Sequence, residues 1–169
     1  MPVSVAIAQT SSELDAVRGL IRAFVDWHRA RHVEDLDLID GYFDAAAFEA
    51  ELAGLPGKYG PPDGRLLLAS VDGAPAGRVA LRLLAGDVCE MKRMYVDQRF
   101  RGQRVGVALS ERVLADARAL GYRAMRLDTS MRQAEALGLY RRFGFAEIEP
   151  YYDVAPELRD WLVFMELEL

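Results

Sequence analysis

Cysteine occurs once in the 169 residues, and histidine and tryptophan twice each. The lone thiol, Cys89, excludes an internal disulfide and suits a reducing compartment, so a cytoplasmic location is expected. His28 and His32 stand four apart with no third ligand evident. That spacing can hold a metal, but two polar residues on a solvated helix face is the plainer reading, and no metal is expected. No apolar run is long enough to span a membrane, and the first residues lack a basic stretch followed by an apolar one. Neither a membrane partner nor a secretory leader is expected. Basic residues are the minority, 21 against 26 acidic, for a net charge of −5, which argues against nucleic acid as a partner. There is no internal repeat, low-complexity tract or interdomain linker. With 51% hydrophobic residues, one domain over residues 1–169 is expected.

Two common phosphate-binding signatures are also missing. GxxxxGK[ST] fails at its nearest candidate, Gly57-Lys58, where Leu52 and Tyr59 occupy the outer positions, and GxGxxG is absent around Gly102 and Gly106. What is present, over residues 88–106, is an apolar-rich strand pattern, a short loop and a basic turn that opens a helix. From Lys92 to Arg104 the charges are Lys92, Arg93, Arg99, Arg101 and Arg104 against Asp97 alone. First-turn amides of a helix have no internal acceptor and carry the positive end of the helix dipole, so such a turn suits an anion, here a polyphosphate.

The turn Arg101-Gly102-Gln103-Arg104-Val105-Gly106 resembles motif A of the GNAT family of N-acetyltransferases, [RQ]-x-x-[GA]-x-[GA], with Arg104 in place of the first small residue. Downstream, Gln133, Ala136, Leu139, Tyr140, Gly144 and Phe145 resemble the family's motif B, Asn-x-x-Ala-x-x-Leu-Tyr-x-x-x-Gly-Phe, with Gln133 in place of Asn. Further segments, such as residues 89–93 and 127–129, look like a bacterial subgroup without assigned acceptors. The resemblance implies an α/β (α+β) domain with a mixed, mostly antiparallel sheet in which strands 4 and 5 splay apart. It implies acetyl-CoA as co-substrate. The implied cofactor-binding residues are Met94, Tyr95, Val96, Arg101, Gly102, Gln103, Arg104, Val105, Gly106, Val107, Gln133 and Tyr140.

The residue pattern supports that element order. Strands are expected over residues 3–7, 65–71, 75–84, 88–96, 123–129, near Phe145 and over 161–169, with a turn at Asp72-Gly73. Helices are expected after a Ser11 or Ser12 cap with Glu13 and Asp15 in the first turn, over 45–52, from Val105 to a stop at Gly121, and over 132–142 to a stop at Gly144. The acidic run Glu34, Asp35, Asp37, Asp40 and Asp44 reads as a solvated loop. As a second reading it would attract a cationic amine to an acceptor site.

Acetyl transfer needs a base for the amine and an acid for the departing thiolate. Strand alternation puts Val88, Glu90, Lys92, Met94 and Val96 on one face unless a bulge shifts the phase. Glu90 is the candidate base, directly or through a water, or else an ion-pair partner of Lys92 or Arg93. By resemblance Tyr140 is the candidate acid; otherwise it is a core aromatic. Cys89 faces away from Glu90 and reads as inert packing. Tyr42, Phe43, Tyr59, Tyr151 and Tyr152 are candidates for the acceptor pocket or for ordinary loop packing. The acceptor class expected is a small-molecule amine or a peptide or protein amine, and the family leaves a homodimer open. Rival readings are O-acetyl or longer-chain transfer on the same fold, and a non-catalytic acyl-CoA sensor.

Overall fold

The computed structural model describes residues 2–169. The strands are β1 (Val3–Ile7), β2 (Arg65–Val71), β3 (Ala74–Ala85), β4 (Val88–Val96), β5 (Ala124–Ser130), β6 (Ala146–Ile148) and β7 (Leu162–Glu168). They form one sheet in the order β1-β2-β3-β4-β5-β7-β6, antiparallel except for the parallel pair β4–β5. The helices are α1 (Ser11–Arg31), α2 (Leu36–Tyr42), α3 (Ala45–Ala53), α4 (Val105–Ala119), α5 (Ala134–Arg142) and α6 (Pro156–Arg159). Each expected strand and helix is present to within a few residues. α2 and α6 are additions.

The sheet is covered on both faces. On one, Val79 and Leu81 of β3, Cys89 and Met91 of β4 and Met125 of β5 meet Val105, Leu109 and Val113 of α4 in the main core. On the other, Leu66 and Ala80 meet Val17 and Ile21 of α1 and Leu52 of α3. A third cluster ties Ile39 of α2 to Trp161, Leu162 and Phe164. Each buried Leu, Ile or Val contributes about 1.5–3 kcal/mol by leaving water. The main core closes tightly over Gly77, where a Cβ would meet the Tyr95 carbonyl at 2.7 Å and Val105 Cγ1 at 3.0 Å. The absent side chain lets α4 lie directly on β3.

Local signals explain the entries and exits of these elements, with two corrections. α1 is capped by Thr10 rather than a serine: its hydroxyl accepts from the Glu13 amide at 3.1 Å, and the Glu13 carboxylate accepts from the Thr10 amide at 3.0 Å. Asp15 pairs with Arg18 at 2.9 Å instead of serving the first turn. The acidic run is not a loop, although all of its carboxylates but Asp35 are exposed. It supplies α2, and four of its five carboxylates are engaged. Asp35 is buried and accepts from Arg132 (2.8 Å) and the Trp161 indole (3.1 Å). Asp40 pairs with Arg29, Asp44 caps α3 through the Ala47 amide, and Glu34 lies 3.8 Å from Arg132.

Candidate active site

The site is built around a break in the sheet. β4 and β5 pair only at Val88–Ala124, Cys89–Met125 and Glu90–Arg126, and beyond that point the strands diverge. The cause lies in β4. Its register against β3 slips between Lys92, opposite Ala80, and Tyr95, opposite Arg78, so β4 carries one extra residue. Arg93 adopts φ 59° at this bulge. A bulge bends a strand and increases its twist, which swings the end of β4 away from β5.

The bulge also flips the side-chain phase. Glu90 and Lys92 face the α1–α3 side, where they meet Arg82 and Tyr42. Met94 and Val96 instead lie against the main core on the α4 side. The unbroken alternation expected for β4 therefore stops at Lys92.

Three neighbouring spaces open along the break. The first is a groove of about 410 Å³ between the end of β4, the turn before α4 and α5. It is lined by Met94, Tyr95, Val96, Arg101, Gly102, Arg104, Val105, Gly106, Val107 and Gln133 among others. Gln103, on the same turn, does not line it. Gly102 (φ 81°) and Arg104 (φ 63°) both take left-handed conformations as the chain reverses into α4, whose first residues, Val105, Gly106 and Val107, line the groove. At Gly106 a Cβ would come within 3.2 Å of Leu139, so α5 closes onto the first turn of α4. Phe24 and Trp27 of α1 also line the groove, and the Arg101 guanidinium lies 4.4 Å from the Trp27 ring centroid.

The second space is a gap of about 50 Å³ between the diverging strands. Met91 to Met94 of β4 and Leu127 to Ser130 of β5 form its sides. Phe24, His28, Tyr42, Phe43, Gln133, Tyr140, Trp161 and Leu162 complete it. It shares Phe24, Met94 and Gln133 with the groove. Gln133 is buried, and its Nε2 has no hydrogen-bond partner, an unsatisfied donor at the junction of the two spaces. Tyr140 is buried against Phe145, and burial pushes its phenol well above its ordinary pKa, so it remains a proton donor. His28 and His32 are buried, contrary to the solvated face expected of them. His28 stacks on Trp161 at 5.7 Å, and burial, then His32, push its pKa down to about 4, which keeps it neutral.

The third space is an open recess of about 300 Å³ between α2 and residues 152–158. It shares Tyr42, Lys92 and Arg93 with the gap. The gap thus shares walls with the groove on one side and with the recess on the other.

The polar network beside the gap centres on two carboxylates. Glu90 is 1% exposed, accepts from Arg82 Nε at 2.7 Å and from the Tyr151 hydroxyl at 2.5 Å, and does not line the gap. Asp128 does line it, a residue that sequence reasoning noted only within a family-like segment. It accepts from the Tyr42 hydroxyl (2.9 Å), Lys92 Nζ (3.3 Å) and the Tyr152 hydroxyl. Lys92 Nζ also stands 3.9 Å from Glu90, bridging the two. Burial, then the charge of Asp128, holds the Tyr42, Tyr151 and Tyr152 phenols above their ordinary pKa. Of the five aromatic candidates, Tyr42 and Phe43 line the gap and Tyr152 the recess. Tyr151 braces Glu90, and Tyr59 is buried in the second core. Cys89 is buried in the main core, and its thiol is pushed up to about 12 by burial, so it remains unreactive there.

Residues 21–145 match the Acetyltransferase (GNAT) family. An uncharacterized N-acetyltransferase of Schizosaccharomyces pombe is 41% identical over 122 residues, covering 70% of this chain and 72% of the relative. An IAA acetyltransferase of Azospirillum brasilense is 38% identical over 97 residues, 57% of this chain and 63% of that protein. Among solved structures, the PaiA N-acetyltransferase of Thermoplasma acidophilum in complex with coenzyme A superposes with a TM-score of 0.73 at 16% identity, covering 100% of both chains.

Proposed function

The chain belongs to the GNAT family of acetyltransferases, and from that premise we propose that it moves an acetyl group from acetyl-CoA to a primary amine by direct attack in a ternary complex. The observation that carries this reading is the gap between the splayed strands, flanked by the groove on one side and the recess on the other. A cofactor entering by the groove and an acceptor entering by the recess meet in the gap without crossing. The small volume of the gap supports a short acyl group over a long one.

Acetyl-CoA supplies an activated thioester. The chain's residues do the rest. The α4 amides with Arg101 and Arg104 hold the pyrophosphate. Beyond Glu90 the β5-side edge of β4 lacks a strand partner, so the backbone of Met94 and Val96 can pair with the pantetheine arm as an added strand. Gln133 Nε2 offers its free donor to the cofactor where groove meets gap. One ammonium proton passes to Asp128, the carboxylate that lines the gap, while Glu90 holds Lys92 beside it. The amine nitrogen bonds to the acyl carbon as the carbon–sulfur bond breaks. A second amine proton leaves, and Tyr140 delivers a proton to the thiolate, so one proton is released to solvent per turnover.

The test is thiol release from acetyl-CoA over an amine panel, with wild type and Tyr140→Phe. Loss of a general acid lowers kcat by roughly 100-fold or more while KM for acetyl-CoA stays within about twofold. An unchanged kcat would remove Tyr140 from the mechanism.

A further inference from the structure

The gap and recess are lined by two cations, Lys92 and Arg93, and two carboxylates, Asp128 and Asp153, and further cations stand around them in a chain that is acidic overall. Lys58, Arg78, Arg82, Lys92 and Arg93 share one face of the sheet with three carboxylates, Glu51, Glu90 and Asp128. Glu51 serves both Arg93 (3.0 Å) and Lys58 (3.5 Å). Glu90 serves Arg82 at 2.7 Å, and Asp128 serves Lys92 at 3.3 Å. Arg78 is 0% exposed, and none of its three guanidinium nitrogens has a partner among the described residues. Burial pushes the Lys58 ammonium down, and Arg82, Lys92 and Arg93 add to the shift against the pull of Glu51. Asp153 is the one carboxylate lining the recess, and it is exposed. The acidic residues of α2 and its flanks, which on sequence would draw in a polycation, line neither space.

Resting on the amine-acetylation reading above, we propose that the acceptor is a primary amine that also carries a carboxylate, the chemical class of free amino acids. Lys92 and Arg93, where recess meets gap, take the carboxylate. The ammonium moves into the gap beside Asp128. Lys92 already stands between Asp128 and Glu90, so binding is an exchange of ion pairs: the substrate carboxylate replaces Asp128 at Lys92, and the substrate ammonium replaces Lys92 at Asp128. A zwitterion leaves the net charge of the site unchanged. A simple amine adds one positive charge beside Lys92 and Arg93, and a polyamine or aminoglycoside adds several.

The experiment measures thiol release by the wild-type protein with free amino acids, the methyl ester of each, spermidine and kanamycin. The ester keeps the side chain, removes the carboxylate charge and makes the amine less basic, so it has the chemical advantage. The proposal expects kcat/KM for a free amino acid to exceed that of its ester, and of spermidine, by tenfold or more. Lys92→Gln, checked for acetyl-CoA binding by calorimetry, should bring the acid-to-ester ratio within about threefold of one. Esters or spermidine turned over as well as free acids would overturn the acceptor class while leaving amine acetylation standing. An unaltered ratio in a Lys92→Gln protein that binds acetyl-CoA would overturn the role of Lys92. No release with any amine, despite acetyl-CoA binding, would overturn the amine-acetylation reading itself.

Discussion

Replacing Arg104 by glycine should stabilise the protein and weaken its hold on coenzyme A. Arg104 is exposed and adopts φ 63°, ψ 22° at the N-cap of α4, where its side chain makes no capping hydrogen bond. A left-handed conformation costs a residue with a Cβ about 1–2 kcal/mol. Glycine escapes that cost but gives back about 0.5–1 kcal/mol through its freer unfolded chain. The difference favours Arg104→Gly by roughly 0.5–1 kcal/mol, or about 1–4 °C in Tm for a chain of this size. In the proposed complex the same change removes one cation beside the pyrophosphate. An exposed charge-assisted contact contributes on the order of 0.5–1 kcal/mol, so Kd for coenzyme A should rise about two- to fivefold, and by less at high salt. Thermal unfolding without ligand and calorimetry at two salt concentrations measure the two effects. A lower Tm with unaltered affinity would refute the argument, because Arg104 would then be holding the turn rather than facing a phosphate.

Other substitutions probe the rest of the site. Asp128→Asn leaves Lys92 without its 3.3 Å partner; denaturant unfolding should show a loss of roughly 2 kcal/mol or more, and kcat should fall at least about tenfold. Gly77→Ala drives a Cβ to 2.7 Å from the Tyr95 carbonyl. About 2 kcal/mol of overpacking, or roughly 4–8 °C in Tm, should follow. His28 has its folded-state pKa depressed from 6.5 to about 4, so the fold favours its neutral form. The unfolded chain binds this proton before the fold does, so stability is lost as pH falls: wild type should lose on the order of 2 kcal/mol relative to His28→Asn between about pH 6.5 and pH 4. Parallel stability curves for the two proteins over that range would place the ring in contact with solvent.

What could be read from the sequence was contiguous in it. The β4–turn–α4 unit and the α5 motif each hold their residues close together in the chain, so the resemblance to two short family motifs picked out Arg101, Gly102, Gly106 and Gln133, all of which line the groove. The remaining walls come from distant segments. Phe24, Trp27 and His28 all stand on α1, and nothing in the periodicity of that helix distinguishes a core face from the roof of a cavity. The run around α2 looked solvated because its partners are remote: Asp35 meets Arg132 and Trp161, 97 and 126 positions away. The bulge at Arg93 depends on the register against β3, which composition does not encode, yet it turns Met94 and Val96 to the other face. Asp128 was visible only as one polar position on a strand, and the splay of β4 from β5 makes it line the gap.

The central claim is that cofactor and amine meet in the gap from its two sides. The most direct test is the initial rate of thiol release as a function of both acetyl-CoA and amine concentrations. Attack within a ternary complex predicts double-reciprocal lines that intersect. Parallel lines, with acetyl retained on the protein when the amine is withheld, would contradict it.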